Sequence, residues 1–371
     1  MSEWKEYKLG DVCSRLRSGK NLKSNLIFPE GKYPVWGGNG VRGYTNECNF
    51  KGQCCVIGRQ GAYCGNVHYY EGEAYMTEHA IVAVGNEQAD TYYLACALSL
   101  MHLENLSAQS AQPGISVQTL STQTIILPPI DEQKRIAGVL SSLDDKIDLL
   151  NRENATLEAL AETLFRHYFI ENPNPAWKEG KVSDVSFHCK DSINPQKHSD
   201  KTFLHYSIPA YDNGQRPTEE QGQNIQSNKY VVPQNCILFS KLNPHKDKRV
   251  WLMLDDVQSN AICSTEFQIV KPQDDKWLYF LYGWLTYKEN FDEIASGVSG
   301  TSGSHQRIDP KVIFDNECLF VDDGILAQYN EQIIPIFKKI KSNQQQMQTM
   351  VAQHDTLLPR LMSGEVKVTE H

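Results

Sequence analysis

Along residues 140–168 the apolar side chains fall at Leu140, Leu143, Ile147, Leu150, Leu157, Ala161, Leu164 and Tyr168, in steps alternating between three and four. Asn154 fills the single polar slot. This is an a/d heptad seam held over about four heptads, the pattern of a coiled coil. It recurs at a fixed offset as Ile333, Ile336, Ile340, Asn343, Met347, Met350, His354, Leu357 and Leu361. Two matched seams in one chain can pair with each other. The first leads out of one domain into a second, and the other leaves that second domain, so to lie alongside they must run antiparallel. The symmetric register then sets Asn154 against Asn343, where a buried amide pair fixes alignment at some cost in stability. These side chains are expected to meet; a separation beyond about 8 Å excludes the register.

The ends of the intervening domains also repeat. Trp4-Lys5-Glu6-Tyr7-Lys8-Leu9-Gly10-Asp11-Val12 returns as Trp177-Lys178-Glu179-Gly180-Lys181-Val182-Ser183-Asp184-Val185. Ser116-Val117-Gln118-Thr119-Leu120-Ser121 aligns with Ser304-His305-Gln306-Arg307-Ile308-Asp309. The order is domain, helix, domain, helix, with expected bounds 1–130, 131–172, 173–322 and 323–371. The fold class is α+β: two mixed α/β domains in pseudo-two-fold arrangement, joined by two long helices in an antiparallel coiled coil. In the first domain 54–57, 66–70 and 80–84 read as strands and 91–103 as a helix. In the second, 236–240 and 251–254 read as strands and 276–290 as a helix. Leu127-Pro128-Pro129 is a stiff linker, Asp131 an N-cap, and the first long helix should run to about Ile170. Pro335 either kinks the second helix, which spans about 325–361, or marks its first turn.

Composition narrows the function only a little. The chain has 371 residues, 40% hydrophobic and 22% charged, as in soluble globular proteins of two or three domains. No apolar run reaches a membrane span and the start lacks a signal-peptide core, so the expected location is the cytoplasm, with no membrane partner. The net charge of −9 argues mildly against nucleic acid, but binding depends on the local field. The ten cysteines include no C-x-x-C pair. Cys54 and Cys55 are adjacent and point opposite ways on a strand, so the group Cys48, Cys54, Cys55, Cys64 and His68 reads as buried thiols and no metal site is expected. Catalytic signatures are missing. Gly38-Asn39-Gly40-Val41-Arg42-Gly43 is no phosphate-binding loop. No Asn-Pro-Pro-Tyr or Asn-Pro-Pro-Phe of an amino-methyltransferase occurs. Glu132-Gln133-Lys134 and Asp274-Asp275-Lys276 read as helix-start charges. No catalytic residue and no cofactor is assigned.

Leu127-Pro128-Pro129-Ile130-Asp131-Glu132-Gln133-Lys134-Arg135-Ile136-Ala137 resembles the specificity subunit of Type I restriction–modification systems. So do Leu143-Asp144-Asp145-Lys146-Ile147-Asp148-Leu149-Leu150-Asn151, the stretch 157–169, and the terminal Leu357-Leu358-Pro359-Arg360-Leu361-Met362-Ser363-Gly364-Glu365-Val366. The likeness covers nearly the whole chain in the family's order. One departure is that Val321-Asp322-Asp323-Gly324 stands before the second helix where the Pro-Pro-x-x-Glu-Gln run would repeat. The resemblance implies a non-catalytic targeting subunit with two target-recognition domains. It implies double-stranded DNA, two methyltransferase subunits and, in a full complex, two restriction (motor-nuclease) subunits as partners. Each domain would read half of an asymmetric bipartite site, and the methylated base would be adenine. S-adenosylmethionine and ATP would belong to the partners. At 1.5 Å per residue the 140–168 seam is about 43 Å long, against about 34 Å per turn of DNA, which suits a spacer.

Phosphates call for Lys and Arg, and base edges for Arg, Lys, Asn, Gln, Ser or His on exposed loops. The first domain offers Trp36, Asn39, Arg42, Tyr44, Arg59, Gln60 and Tyr63, with Gln112, Ser116 and Gln118 on a second loop. The second offers Lys241, Asn243, His245, Lys246, Lys248 and Arg249, its densest basic cluster, with Ser302, Ser304, His305, Gln306 and Arg307 on its other loop. The competing reading is a duplicated coiled-coil scaffold whose end domains bind proteins, which suits the negative charge but not the basic loops.

Overall fold

The neighbouring thiols Cys54 and Cys55 show how the amino-terminal part is layered. In the computed structural model, which describes residues 4–107, 114–299 and 306–368, both lie on the strand Phe50–Gly58. Cys55 and Ile57 face a core shared with Tyr93, Leu94, Ile136 and Leu140. Cys54 and Val56 face the opposite one, with Phe50, Met76 and Val82. The two-residue period of a strand thus splits the pair between two cores, as expected.

The chain divides into two compact units, residues 1–151 with 344–371, and residues 152–343. In the first, a six-stranded sheet has the order Cys13–Ser18, Ala80–Gly85, Phe50–Gly58, Val67–Met76, Tyr33–Gly37, Gly40–Thr45. The three expected strands lie within or overlap Phe50–Gly58, Val67–Met76 and Ala80–Gly85. The helix expected over 91–103 is shorter, Thr91–Ser99, capped by the Asp90 side chain. His102 takes a positive φ of 49°, which turns the chain out of the helical path.

The second unit contains a four-stranded sheet, Ser186–Cys189, Phe267–Pro272, Cys236–Ser240, Val250–Met253, antiparallel throughout. Its order and directions match the first four strands of the other unit. Beyond this shared frame the units differ. One adds the hairpin Tyr33–Gly37 and Gly40–Thr45. The other adds a five-stranded sheet built from Ser192–Ile193, Lys229–Val231, Ala261–Cys263, Thr202–Tyr206 and Thr218–Gln221. The helix expected over 276–290 is broken in two, Leu278–Thr286 and Lys288–Ser296. Tyr287 between them is extended, and Asn290 donates to the freed Trp284 carbonyl.

The repeated tryptophan motifs open equivalent ribbons. Lys5–Lys8 pairs with Thr124–Leu127, and Lys178–Lys181 with Glu317–Phe320, both antiparallel. The second repeat is differently aligned from the sequence match of Ser116–Ser121 with 304–309. The short helix Val117–Ser121, capped by Ser116, corresponds to Pro310–Phe314, capped by Asp309. Leu120 and Ile313 are the buried anchors. This correspondence has the same spacing that separates Leu140 from Ile333. Letter matches in a polar stretch misled where caps and a buried anchor define the equivalence.

The first long helix is Ile130–Phe165, continued by a π-helical turn Arg166–Glu171. Asp131 is not its N-cap. The helix begins one residue earlier, because the Pro129 carbonyl already accepts from the amides of Glu132 and Gln133. Asp131 and Glu132 instead place negative charge in the first turn, where the helix dipole favours it. Gln133 is fully buried. Its amide nitrogen donates to the carbonyls of Gln88 (2.9 Å) and Pro128 (2.8 Å), and its oxygen accepts from the Asp90 amide (3.0 Å). The second long helix is Asp323–Met362, and the Asp322 carboxylate accepts from the Ile325 amide. Pro335 is therefore interior, not in the first turn; its ring is exposed, and its missing N–H removes one bond to the preceding turn.

Within the second unit the Asn343 side chain donates to Asn154 Oδ1 at 2.8 Å and to Glu153 at 2.9 Å. Both asparagines are buried. Further along, the Tyr168 ring meets Tyr329 at 5.7 Å, and its hydroxyl accepts from Gln332. Rising numbers on one helix meet falling numbers on the other, so the pairing is antiparallel in the expected register. Ile333 and Ile340 are buried in this seam, with Leu157, Leu164 and Ile336 packed alongside. In the first unit Leu140 and Leu361 share a core with Leu357, and His354 lies 3.8 Å from Asp144. Leu150 and Met347 are buried, while Leu143, Ile147 and Met350 are partly so.

Replacing Asn154 by Ala removes one of the two acceptors of the buried Asn343 amide, leaving only Glu153, and should cost about 1–3 kcal/mol. Asn154→Leu with Asn343→Leu should recover that loss, since no buried polar group remains. Urea unfolding followed by tryptophan fluorescence distinguishes the two, and an Asn154→Ala midpoint equal to wild type refutes the assignment.

Candidate nucleic-acid interface

In the second unit the strand Cys236–Ser240 delivers Lys241 to its end. The Lys241 carbonyl accepts from the Ile308 amide at 3.0 Å, and Leu242 bridges Arg307. Asn243, at φ 47°, donates its amide to the Gln306 carbonyl, while its side chain accepts from the Gln306 amide at 3.0 Å. The structure therefore brings together the two basic loops that the sequence placed far apart. Ser302, Ser304 and His305 lie outside the described residues.

Within that cluster the cations divide. Arg249 is held by Asp212 through two bonds (2.6 and 2.9 Å) and by Asp247 at 2.8 Å, with only 11% of its side chain exposed. This bidentate geometry fastens the loop. Arg307 pairs in the same way with Glu266 (3.0 and 2.9 Å). The Lys248 ammonium donates to the Thr286 carbonyl and lies 5.6 Å over the Phe291 ring; burial lowers its pKa. Asn243 serves the loop joint. His245, Lys246 and Lys248 are exposed, and Lys241 is half-buried.

In the first unit the same joint recurs. The Arg59 carbonyl, just past the strand Phe50–Gly58, accepts from the Ile115 amide at 2.9 Å, and Gln60 bridges Gly114. The hairpin tip lies against this joint because Gly38 and Gly58 carry no side chains. A Cβ on Gly58 would sit 2.6 Å from the Gly38 carbonyl. So Asn39 and Arg59 belong to one surface. Arg42 lays its stem across Gly37, where a Cβ would be 2.5 Å from its Cδ. Tyr44 and Tyr63 are exposed, as are Asn39, Arg42, Gln60 and Gln118. Trp36 is half-buried between His68 (5.8 Å) and Tyr70 (5.1 Å). Ser116 caps its short helix by accepting from the Thr119 amide. Gln112 lies outside the described residues.

Sequence reading missed two residues here. Phe28 is exposed and pairs backbone to backbone with Tyr44; a lone aromatic before a proline gives no pattern. His188 stacks on Phe314 at 5.2 Å. Burial, and secondarily Lys190 and Lys241, push its pKa down to about 4. Among the described residues no group of three or more His, Cys, Asp or Glu could hold a metal. No described helix is long and apolar enough to cross a membrane. All ten cysteines are free, seven of them buried.

Duplicated mixed α/β frames, each closed by paired long helices, define a class of two-module proteins. Residues 1–159 match the family model for the Type I restriction modification DNA specificity domain. The EcoprrI specificity subunit of Escherichia coli is 36% identical over 146 residues, 38% of this chain and 36% of that protein. The MjaIX specificity subunit of Methanocaldococcus jannaschii is 25% identical over 313 residues, 75% of this chain and 69% of that protein. The crystal structure of a Type I restriction–modification S subunit from Mycoplasma genitalium shares the fold, with a TM-score of 0.66 at 15% identity, covering 100% of this chain and 97% of that one. The chain is thus similar to Type I restriction–modification specificity subunits, with the family model matching its first 159 residues and the EcoprrI match covering about a third of that relative's length.

Because His188 is held neutral when folded, its contribution to stability is complete above pH 6.5, its unfolded value, and declines as pH falls toward 4. His188→Phe should flatten the fall of Tm across that window. A slope identical to wild type contradicts the assignment.

Proposed function

We propose that the chain is the non-catalytic, sequence-reading subunit of a Type I restriction–modification complex. Residues 1–130 and 173–322 act as target-recognition domains, and the helical parts 131–172 and 323–371 as their spacer. Each domain reads one half of an asymmetric bipartite site in double-stranded DNA. Two methyltransferase subunits, and in a full complex two restriction subunits, bring S-adenosylmethionine, ATP and the chemistry, with adenine as the methylated base. The location is the cytoplasm.

The observation that carries this reading is the repeated loop joint. The hydrogen bond of Ile115 to Arg59 and that of Ile308 to Lys241 are the same bond in two frames. Each presents a polar or basic loop pair at the end of an equivalent strand, while the elements around it differ. Like scaffolds with unlike loops suit two readers of two different half-sites.

Co-expression with a methyltransferase of this family, followed by mapping of methylated adenines, tests the reading. A split motif supports it; a chain that binds only peptides favours the protein scaffold. Lys241→Glu with Lys246→Glu should weaken binding of the assembled complex and flatten its salt dependence; unchanged affinity and slope remove these residues from the interface. Inserting one heptad in each long helix should lengthen the gap between half-sites and leave the half-sites alone. An unaltered gap removes the spacer role.

A further inference from the structure

The loop that carries His245 and Lys246 faces a helix that no sequence pattern linked to it. Between the loop and Lys288–Ser296 lies a cavity of about 500 Å³, lined among others by His245, Lys246, Lys248, Lys288, Phe291 and Asp292. Three ammonium groups and one carboxylate line it. The carboxylate, Asp292, is engaged by Lys288 at 2.5 Å, one helical turn away. The Lys248 ammonium is drawn down over the Phe291 ring toward the Thr286 carbonyl. The lining thus sets three lysines against one carboxylate over a partly apolar floor.

The donor chemistry identifies the ligand class. Among the described residues neither Arg, Asn nor Gln lines this cavity, so those residues bring none of the planar, paired donors that make bidentate contacts to base edges. Lysines are point charges with freely turning donors, suited to a phosphate oxygen whose neighbours vary. The cavity is also continuous with the loop 241–249, whose exposed members are proposed above to meet DNA.

We propose that Lys288, together with Lys246 and Lys248, forms a seat for one backbone phosphodiester of the DNA held by the second domain. The contact supplies affinity and positioning without sequence information. It rests on the DNA-reading function proposed above.

The test uses the full chain assembled with its methyltransferase subunits. Binding of a duplex carrying the recognised site, and of a scrambled duplex, is measured by anisotropy across a sodium chloride series. Lys288→Gln should weaken both duplexes by a similar factor and reduce the slope of log K against log salt by about 0.9. The methylated motif should be unchanged, and Lys288→Arg should stay near wild type. Asp292→Asn, which releases Lys288, should shift binding the other way. The Lys288 side chain is 78% exposed, and an unchanged melting curve verifies that the variant folds. An unaltered slope, or weakening confined to the recognised duplex, overturns the seat. So does competition by inorganic phosphate that exceeds chloride at matched ionic strength and vanishes in Lys288→Gln, which marks a free-anion site. If the wild-type complex binds neither duplex, the DNA-reading function itself falls; wild-type binding with an unmoved Lys288→Gln slope removes only the seat.

Discussion

A buried amide pair sets the alignment of the long helices in the second unit. Asn343 donates to Asn154 Oδ1, and to Glu153 beside it, inside a seam otherwise lined by Leu, Ile, Ala and aromatic side chains. Sliding one helix by a heptad would press both amides against hydrocarbon without a partner, at a cost of a few kcal/mol. Apolar contacts alone tolerate such slippage, because one Leu or Ile packs about as well as the next. The amide pair does not. Once it is made, Tyr168 meets Tyr329 and Gln332, and the aromatic floor formed by Phe165, Phe169 and Phe280 closes beneath them.

The long helices are fixed at their starts by different chemistry. Gln133 ties the first to Gln88, Asp90 and Pro128 through three bonds of a fully buried amide. At the equivalent place in the second stands Leu326, also fully buried, so packing replaces hydrogen bonding. This accounts for the Pro-Pro-x-x-Glu-Gln run before one helix and its absence before the other. Duplication kept the geometry and let the interaction change.

Much of the architecture was legible in the sequence because its signals are local and periodic. The heptad spacing of Leu140 to Tyr168 and of Ile333 to Leu361 needs no tertiary knowledge, and chain connectivity then requires the antiparallel register. Alternation likewise divides Cys54 from Cys55. The roles of individual cations were not legible. The ion pairs that hold Arg249 and Arg307 gave no local signal, because their carboxylate partners, Asp212 and Glu266, lie far along the chain. Ser116 looked like a polar loop residue but serves as a helix cap. Lys288 drew no notice, since its proximity to the loop depends on a helix break at Tyr287 that helical periodicity does not mark.

The carboxylates inside the basic loop have a kinetic meaning. With Asp212, Asp247 and Glu266 balancing Arg249 and Arg307, the surface keeps only a modest positive field on a chain of net charge −9. For a reader of rare sites, a strong field would prolong every encounter with irrelevant sequence. In the DNA-reading role proposed above, internal neutralisation would shorten those encounters and leave residence time to the fit of the loops, so the ion pairs that stiffen the surface would also speed its search.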